Sequence, residues 1–581
     1  GAVLLWLLPS ILRVRASMEM APSSTPCQQS PTSVSCKGVG LRKFPEELGQ
    51  GIKYLELSNN FIQNLSGSYT PGFGQLEYLD MCFNQLEAVS ATALAQLPRL
   101  RSLLLGSNHL HRNFLANGEA LHQLRNLEIL DLSANNLESH MAAWYISSLS
   151  SLRELDLSGN RMPRLLSGMF RSNPRLRQLD LSNSYIMEIQ EGAFEPLAEL
   201  EVVNLALNSI HCVSGFSLTQ LRVLNLSHNA LELFACEEGA EPYLLQVLDL
   251  SHNRLLSFPE LPRAHDLTHL NLSNNLIASL LPGSHQQDFV LPYKEMGRFN
   301  RTGRSVAALT HVADLDLSNN RLELFPFTFF HGLGSLHSLS LARNCLQEVA
   351  RESLTNATEP GDPSPAPPEL PELSVRWLDL HSNALRVLPR WFFSSLPQLE
   401  TVDLGSNSLQ PCEGQGSERG GGLGGGSHVS APGDTCTPFY NVPGLRHLSL
   451  RENNISTLQP FAFNRTPLLS LDLSGNRDLS VPRGALGGLE LSLQELSLRG
   501  NGMGESEAAL PCLGTLRVLD LSGNRLSLLP AGLSCSPLES LDVHNNNLQT
   551  LGKLGSWSHS LREVSVAGNP LSCCSLGWLD S

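Results

Sequence analysis

One eleven-residue phrase recurs along this chain and limits what it can fold into more than any other feature. At residues 516–526 it reads LRVLDLSGNRL, that is L-x-x-L-x-L-x-x-N-x-L. The phrase starts again at Leu76 (LEYLDMCFNQL), Leu152 (LRELDLSGNRM), Leu221 (LRVLNLSHNAL), Leu336 (LHSLSLARNCL) and Leu445 (LRHLSLRENNI). About twenty copies occur, most of them roughly 21 to 27 residues apart. In the L-x-L centre, successive residues point to opposite faces of a short strand. Both leucines therefore go inward and the residue between them outward. The asparagine falls where the chain turns, and its amide can satisfy backbone groups that a buried turn leaves orphaned.

One such unit cannot cover its own apolar side, but stacked units can. The period predicts an α/β leucine-rich-repeat solenoid, a horseshoe with a parallel β-sheet on the concave side. Its convex side would be irregular or helical and its ends covered by disulfide-tied caps. This replaces the several globular domains that 581 residues would otherwise imply. The boundaries follow from composition. Residues 1–20, beginning GAVLLWLLPSIL, read as a signal peptide, too short to span a bilayer. Residues 21–51 form an N-terminal cap, and 52–571 carry the repeats. Pro- or Gly-rich polar insertions near 278–311, 355–372 and 410–440 read as surface loops. Residues 572–581 open a C-terminal cap whose remaining cysteines would lie downstream.

The twelve cysteines point to an oxidising compartment. Cys27 and Cys36 flank a short polar stretch before the first repeat and are expected to tie the N-terminal cap. Cys412 and Cys436 bracket the Gly-rich insertion and are expected to close it. Cys573 and Cys574 are structural candidates for the C-terminal cap. Cys82 falls in a small-residue slot before a turn and is expected to be packed; Cys512 and Cys535 hold equivalent positions in successive repeats and are candidate stacked neighbours, but their pairing, like that of Cys236, stays open. Cys212 and Cys345 lie just beyond the turn asparagine and miss the inward slots, which fall on Ile210, Val213, Leu346 and Val349. Both thiols are expected at the surface, too far apart to bond each other. Exposed thiols in a secreted chain fit a bond to another chain. Inert, half-buried thiols, or pairing with Cys236 or another neighbour, are the alternatives.

Seven N-glycosylation sequons add to the secretory reading: Asn64, Asn225, Asn271, Asn300, Asn356, Asn454 and Asn464. Asn225 and Asn271 occupy the outward strand slot, so sugar there would stand on the inner face. Asp fills the same slot at Asp131, Asp156, Asp180, Asp249, Asp316, Asp379, Asp403, Asp472, Asp520 and Asp542. Such a row reads either as a negative face for a basic partner or as a residue common at that slot for structural reasons. The formal charge of -15 argues against nucleic acid. The sequence holds no P-loop, H-E-x-x-H, G-x-S-x-G or zinc-spaced C-x-x-C pair, and its eighteen histidines are scattered. No catalytic residue, metal site or cofactor is expected. Phe170, Phe194 and Phe330, on the return side of the repeats, read as core filler. Ser184 replaces the turn asparagine once and reads as a local weakening.

Four stretches carry a more specific signal: CVSGFSLTQLRVLNLSHNAL, HLNLSNNLI, LSGNRDLSVPRGALGGLE and NPLSCCSLGWL. From Cys27 onward the chain resembles the family of GARP, the glycoprotein-A-repetitions-predominant protein, and its sibling NRROS, the negative regulator of reactive oxygen species. The last two stretches lie nearer the GARP branch, while the Pro-rich insert before Leu373 and the Gly-rich loop depart from the family pattern. The resemblance implies a single-pass type I membrane protein of the cell surface, with its span beyond this chain. Such a protein holds latent transforming growth factor beta through disulfides to the propeptide dimer, and integrins pulling on the propeptide free the growth factor. Carried over, the tethering cysteines are Cys212 and Cys345, one for each protomer. The competing readings are a noncovalent adhesion or pattern-recognition receptor, and a secreted matrix organiser.

Overall fold

In the computed structural model the L-x-L centre of each repeat is a three-residue strand. The structure describes residues 27–572 except 46–47, 49–50, 67–72, 237–241, 262–265, 281–308, 326, 331–332, 350–371, 415–435, 506, 509 and 552–559. The expected signal peptide, most of the three expected insertions, Cys573, Cys574, Asn300 and Asn356 lie outside the described residues. Two compact units divide the chain: Gly1–Leu255 with Pro259–Leu267, and Leu256–Phe258 with Thr268–Ser581.

In the first unit a parallel ladder runs from Ser33–Ser35 through Tyr54–Glu56 and on to Val247–Asp249. Register is constant: Leu55 pairs with Leu79 and Leu79 with Leu103, so leucine stacks on leucine along the core. Gln28–Gln29 turns back antiparallel on Ser33–Ser35, and the Cys27–Cys36 disulfide ties this first hairpin as expected. The second unit has its own ladder, from His269–Asn271 to Glu563–Ser565. Among the described residues the helices of the return sides are short, such as Phe114–Leu121 and Ser139–Ile146 in the first unit and Arg390–Ser394 in the second. Phe170 and Phe330 are fully buried, and Phe194 is half-buried against Phe170 with ring centroids 6.1 Å apart. In the second unit, rings 5.5 to 6.2 Å apart link Phe325, Phe392, Phe393, Phe439 and Phe463 into a spine.

The turn asparagine binds one repeat to the next. Asn253 shows the pattern. Its Nδ2 donates to the carbonyl of Leu250 at 3.0 Å and to that of Leu226, one repeat earlier, at 2.9 Å. Its Oδ1 accepts the Leu231 amide at 2.9 Å. Asn84, Asn344 and Asn524 do the same. At Ser184 the expected weakening is partly offset. Its hydroxyl reaches the carbonyls of Leu157 and Ser182, both at 3.1 Å, and the Asn160 amide reaches it at 3.3 Å. The residue just before the asparagine is left-handed in repeat after repeat, at φ 55° for Phe83, 58° for Leu207 and 65° for Gly523. The repeat pattern does not announce this, because only some of these positions carry glycine.

Charged residues line the rim one position before many of the strands. Lys53 Nζ lies 2.9 Å from Glu77 Oε1, Arg101 3.0 Å from Glu128 Oε1, and Arg153 4.0 Å from Glu128 Oε2. In the second unit Arg517 and Arg562 share Glu539. Exposed pairs of this kind are worth about 0–1 kcal/mol each, so they set order along the rim more than stability.

Asn253→Ala leaves the Leu231 amide without its acceptor and takes from the Leu226 carbonyl one of its two donors, the other being Asn229 Nδ2, and is expected to cost about 1–3 kcal/mol. Ser184→Ala removes weaker bonds and is expected to cost about 1–2 kcal/mol. Chemical-denaturation midpoints of the two variants against the parent chain check both values.

Candidate functional site

Two exposed free thiols stand out, one in each unit. Beyond Asn208 the chain buries Ile210 and then opens a second strand, Cys212–Phe216, parallel to Leu233–Cys236 with Cys212 opposite Leu233. Outside the core slot, Cys212 turns to solvent. Val213, expected inward, is only half-buried, because the register of this small sheet shifts between Val213 and Phe216. Cys345 sits between two buried residues, Asn344 and Leu346, and its amide donates to the Leu322 carbonyl at 2.9 Å. With its backbone fixed and both neighbours pointing in, its side chain points out.

The surroundings of the two thiols differ. The repeats beside Cys212 expose Tyr185 (66%), Met187, Leu207 and Leu233. Those beside Cys345 expose Arg321, Arg343 and Arg386. The repeat pattern alone singles out neither surround. The available signal was that Tyr185 and Met187 occupy turn positions filled by polar residues such as Gln85 and Glu87 two repeats or more away.

The third free thiol, Cys82, is buried as expected, with its Sγ 3.6 Å from Asp131 Oδ2. Burial first, then the carboxylates of Asp131 and Asp80, push its ionisation far above the ordinary thiol range. A thiol held protonated is neither a nucleophile nor a disulfide partner. Cys412–Cys436 is formed, and so is Cys512–Cys535, which the sequence left open. The backbone of Cys236 ends the strand Leu233–Cys236. Among the sequons, Asn64 and Asn454 are exposed, and Asn225, Asn271 and Asn464 are half-buried.

The outward aspartates have a structural job. Asp131 Oδ1 accepts the amide of Ser133 at 2.7 Å, Asp249 that of Ser251 at 2.9 Å and Asp520 that of Ser522 at 2.9 Å. Each caps the chain as it leaves the strand, and Asn225 and Asn271 do so too. Asp156 is nearly fully enclosed, 6% exposed, and burial followed by Asp131 and Asp180 pushes its pKa up to about 7. The inner face is thus less negative near neutrality than its formal count. Asp379, His381 and Asp403 bring possible ligand atoms within 4.8 Å of one another. Their polar atoms are already engaged: His381 Nδ1 lies 2.7 Å from Asp379 Oδ1, and an Arg451 nitrogen 3.9 Å from Asp403 Oδ2. His228 and His252 stack at 3.9 Å, and burial followed by His252 lowers the pKa of His228.

Leucine-rich-repeat family models match residues 50–110, 174–231 and 443–503, and also 244–263 and 515–536. YopM from Yersinia enterocolitica WA-314 superposes with a TM-score of 0.50 at 21% identity, over 93% of this chain and 87% of that one. This is a likeness of fold alone. The class is therefore a leucine-rich-repeat solenoid. Transforming growth factor beta activator LRRC32 of Mus musculus is 36% identical over 99% of this chain and 87% of its own length. Transforming growth factor beta activator LRRC33 of Danio rerio is 31% identical over 96% and 82%. The chain belongs to this family of leucine-rich-repeat activators, in which LRRC32 is GARP and LRRC33 is NRROS.

Two outcomes are expected. In the native chain iodoacetamide labels Cys212 and Cys345 and spares Cys82, read by peptide mass spectrometry, with Cys82 labelled only after unfolding. Asp156→Asn keeps the acceptor for the Ser158 amide and removes a buried charge. A raised carboxyl pKa means that stability is lost as pH climbs from the unfolded value towards 7 and beyond. The variant should gain about 2–4 kcal/mol at pH ~8 and little at pH ~4, read from denaturation curves at both.

Proposed function

We propose that this chain tethers latent transforming growth factor beta at the cell surface through disulfides from Cys212 and Cys345 to the propeptide. The observation that carries the reading is the pair of exposed free thiols on the turn flank of the repeats, set against a third thiol that is sealed. Relatives named as transforming growth factor beta activators, matched over most of their length, supply the partner. Each cysteine bonds one protomer of the propeptide dimer, so one chain serves one dimer. Two covalent bonds suit a link under load, since a noncovalent interface under tension loses its partner at a force-raised rate, whereas a bonded anchor resists an integrin's pull. A single-pass anchor downstream of the repeats provides the fixed end. No helix among the described residues is long and apolar enough to cross a membrane.

The test is co-expression with the propeptide and non-reducing electrophoresis. The parent chain should give a high-mass adduct that reductant removes. Cys212→Ala and Cys345→Ala singly should each retain an adduct, and the double variant should show none. An adduct undiminished in the double variant sinks the tether. Noncovalent co-purification without any adduct would favour an adhesion or pattern-recognition receptor that works through its inner face.

A further inference from the structure

A cleft of about 380 Å³ opens on the rim of the first unit, where the chain enters successive strands. Arg99, Arg101, Arg153 and Arg175 line it with only two carboxylates, Glu77 and Glu128. Both acids are already shared. Glu128 faces Arg101 through one oxygen and Arg153 through the other, and Glu77 pairs with Lys53. Arg99 donates to Gln75, a neutral amide, and Arg175 has no ion pair among the described residues. Arg101 and Arg153 are more than half exposed, so their pairs with Glu128 are weak and readily exchanged for an incoming anion.

The cleft is out of character with the chain. Residues 99–177 hold ten arginines, no lysine and six carboxylates, a net positive stretch in a protein of charge -15. No sequon falls between Asn64 and Asn225, so no N-linked sugar of that stretch stands over the rim. The cations are also spread out. Arg101 and Arg153 lie two strands apart and Arg99 and Arg175 three, about 10 and 14 Å at the usual strand spacing. A single small anion would reach one end only, whereas an extended polyanion reaches both. No aromatic ring lines the cleft, so nothing there would stack a nucleic-acid base. Three formed disulfides place the chain where the abundant stiff polyanions are sulfated polysaccharides.

We propose that the Arg99–Arg101–Arg153–Arg175 cleft is a binding site for sulfated glycosaminoglycan chains. The site shares no lining residue with the repeats that carry the exposed thiols and does not depend on the tether reading. Sulfates bridge the two arginine pairs and displace Glu128 as their partner. Binding is electrostatic, so it weakens as salt rises.

The test titrates a heparin-derived octasaccharide against the purified chain by calorimetry. Saturable binding is expected at ~50 mM salt and should weaken at least tenfold by ~200 mM, while the fully desulfated octasaccharide should not bind. Arg99→Ser with Arg175→Ser should cost about tenfold or more in affinity. Arg483→Ser with Arg525→Ser, two exposed arginines of the second unit, should leave affinity unchanged. All four positions are exposed, and matched thermal midpoints confirm folding. Failure of the parent chain to bind at low salt, or full affinity in the Arg99/Arg175 variant, overturns the site. So does competition by polyglutamate at equal charge, which would make the partner an acidic protein segment.

Discussion

The buried asparagine amide is the contact on which the rest of the architecture depends. A turn placed inside a protein leaves carbonyls and amides with no water to meet, and each would cost more than an average hydrogen bond returns. The asparagine answers this in both directions, donating to its own turn and to the turn before and accepting an amide of the earlier repeat. Leucine stacking supplies the driving force, but it does not fix how one coil meets the next; the amide does. The left-handed residue before it aims the amide inward. Where that residue is Phe83 or Leu207 rather than glycine, the chain tolerates local strain that its neighbours hold in place.

Much of this was legible in the chain itself. The L-x-L alternation told inward from outward, and that was enough to place Cys212 and Cys345 at the surface and Cys82 within. Sequence proximity to the insertion and to the first hairpin was enough for two of the disulfides. What escaped depended on groups distant in sequence meeting across repeats. The half-burial of Val213 comes from a register shift in a two-stranded sheet that no pattern marks. Asp156 owes its raised pKa to burial first, and then to Asp131 and Asp180 on the flanking strands. The aspartate row, open to two readings, has at least one firm function, as a cap for the chain leaving each strand.

The three unpaired thiols among the described residues show how depth sets chemical character. Cys82 is enclosed beside carboxylates and kept protonated, whereas Cys212 and Cys345 each follow a buried residue and so emerge. Their surrounds differ, one apolar and one rich in arginine. A partner that meets both must present two unlike faces, or one flexible segment that adapts to each.

The rim charges carry a final implication, for how such a chain can grow or shrink. From Lys53 through Glu77, Arg101, Glu128 and Arg153 the sign reverses at every repeat. Excising the single coil bearing Glu128 would set two guanidiniums side by side, while excising two adjacent coils would restore the sequence of signs. Along this stretch, gain or loss of coils in even numbers is electrically silent and in odd numbers is not. The rim thus behaves as a parity check on the length of the solenoid.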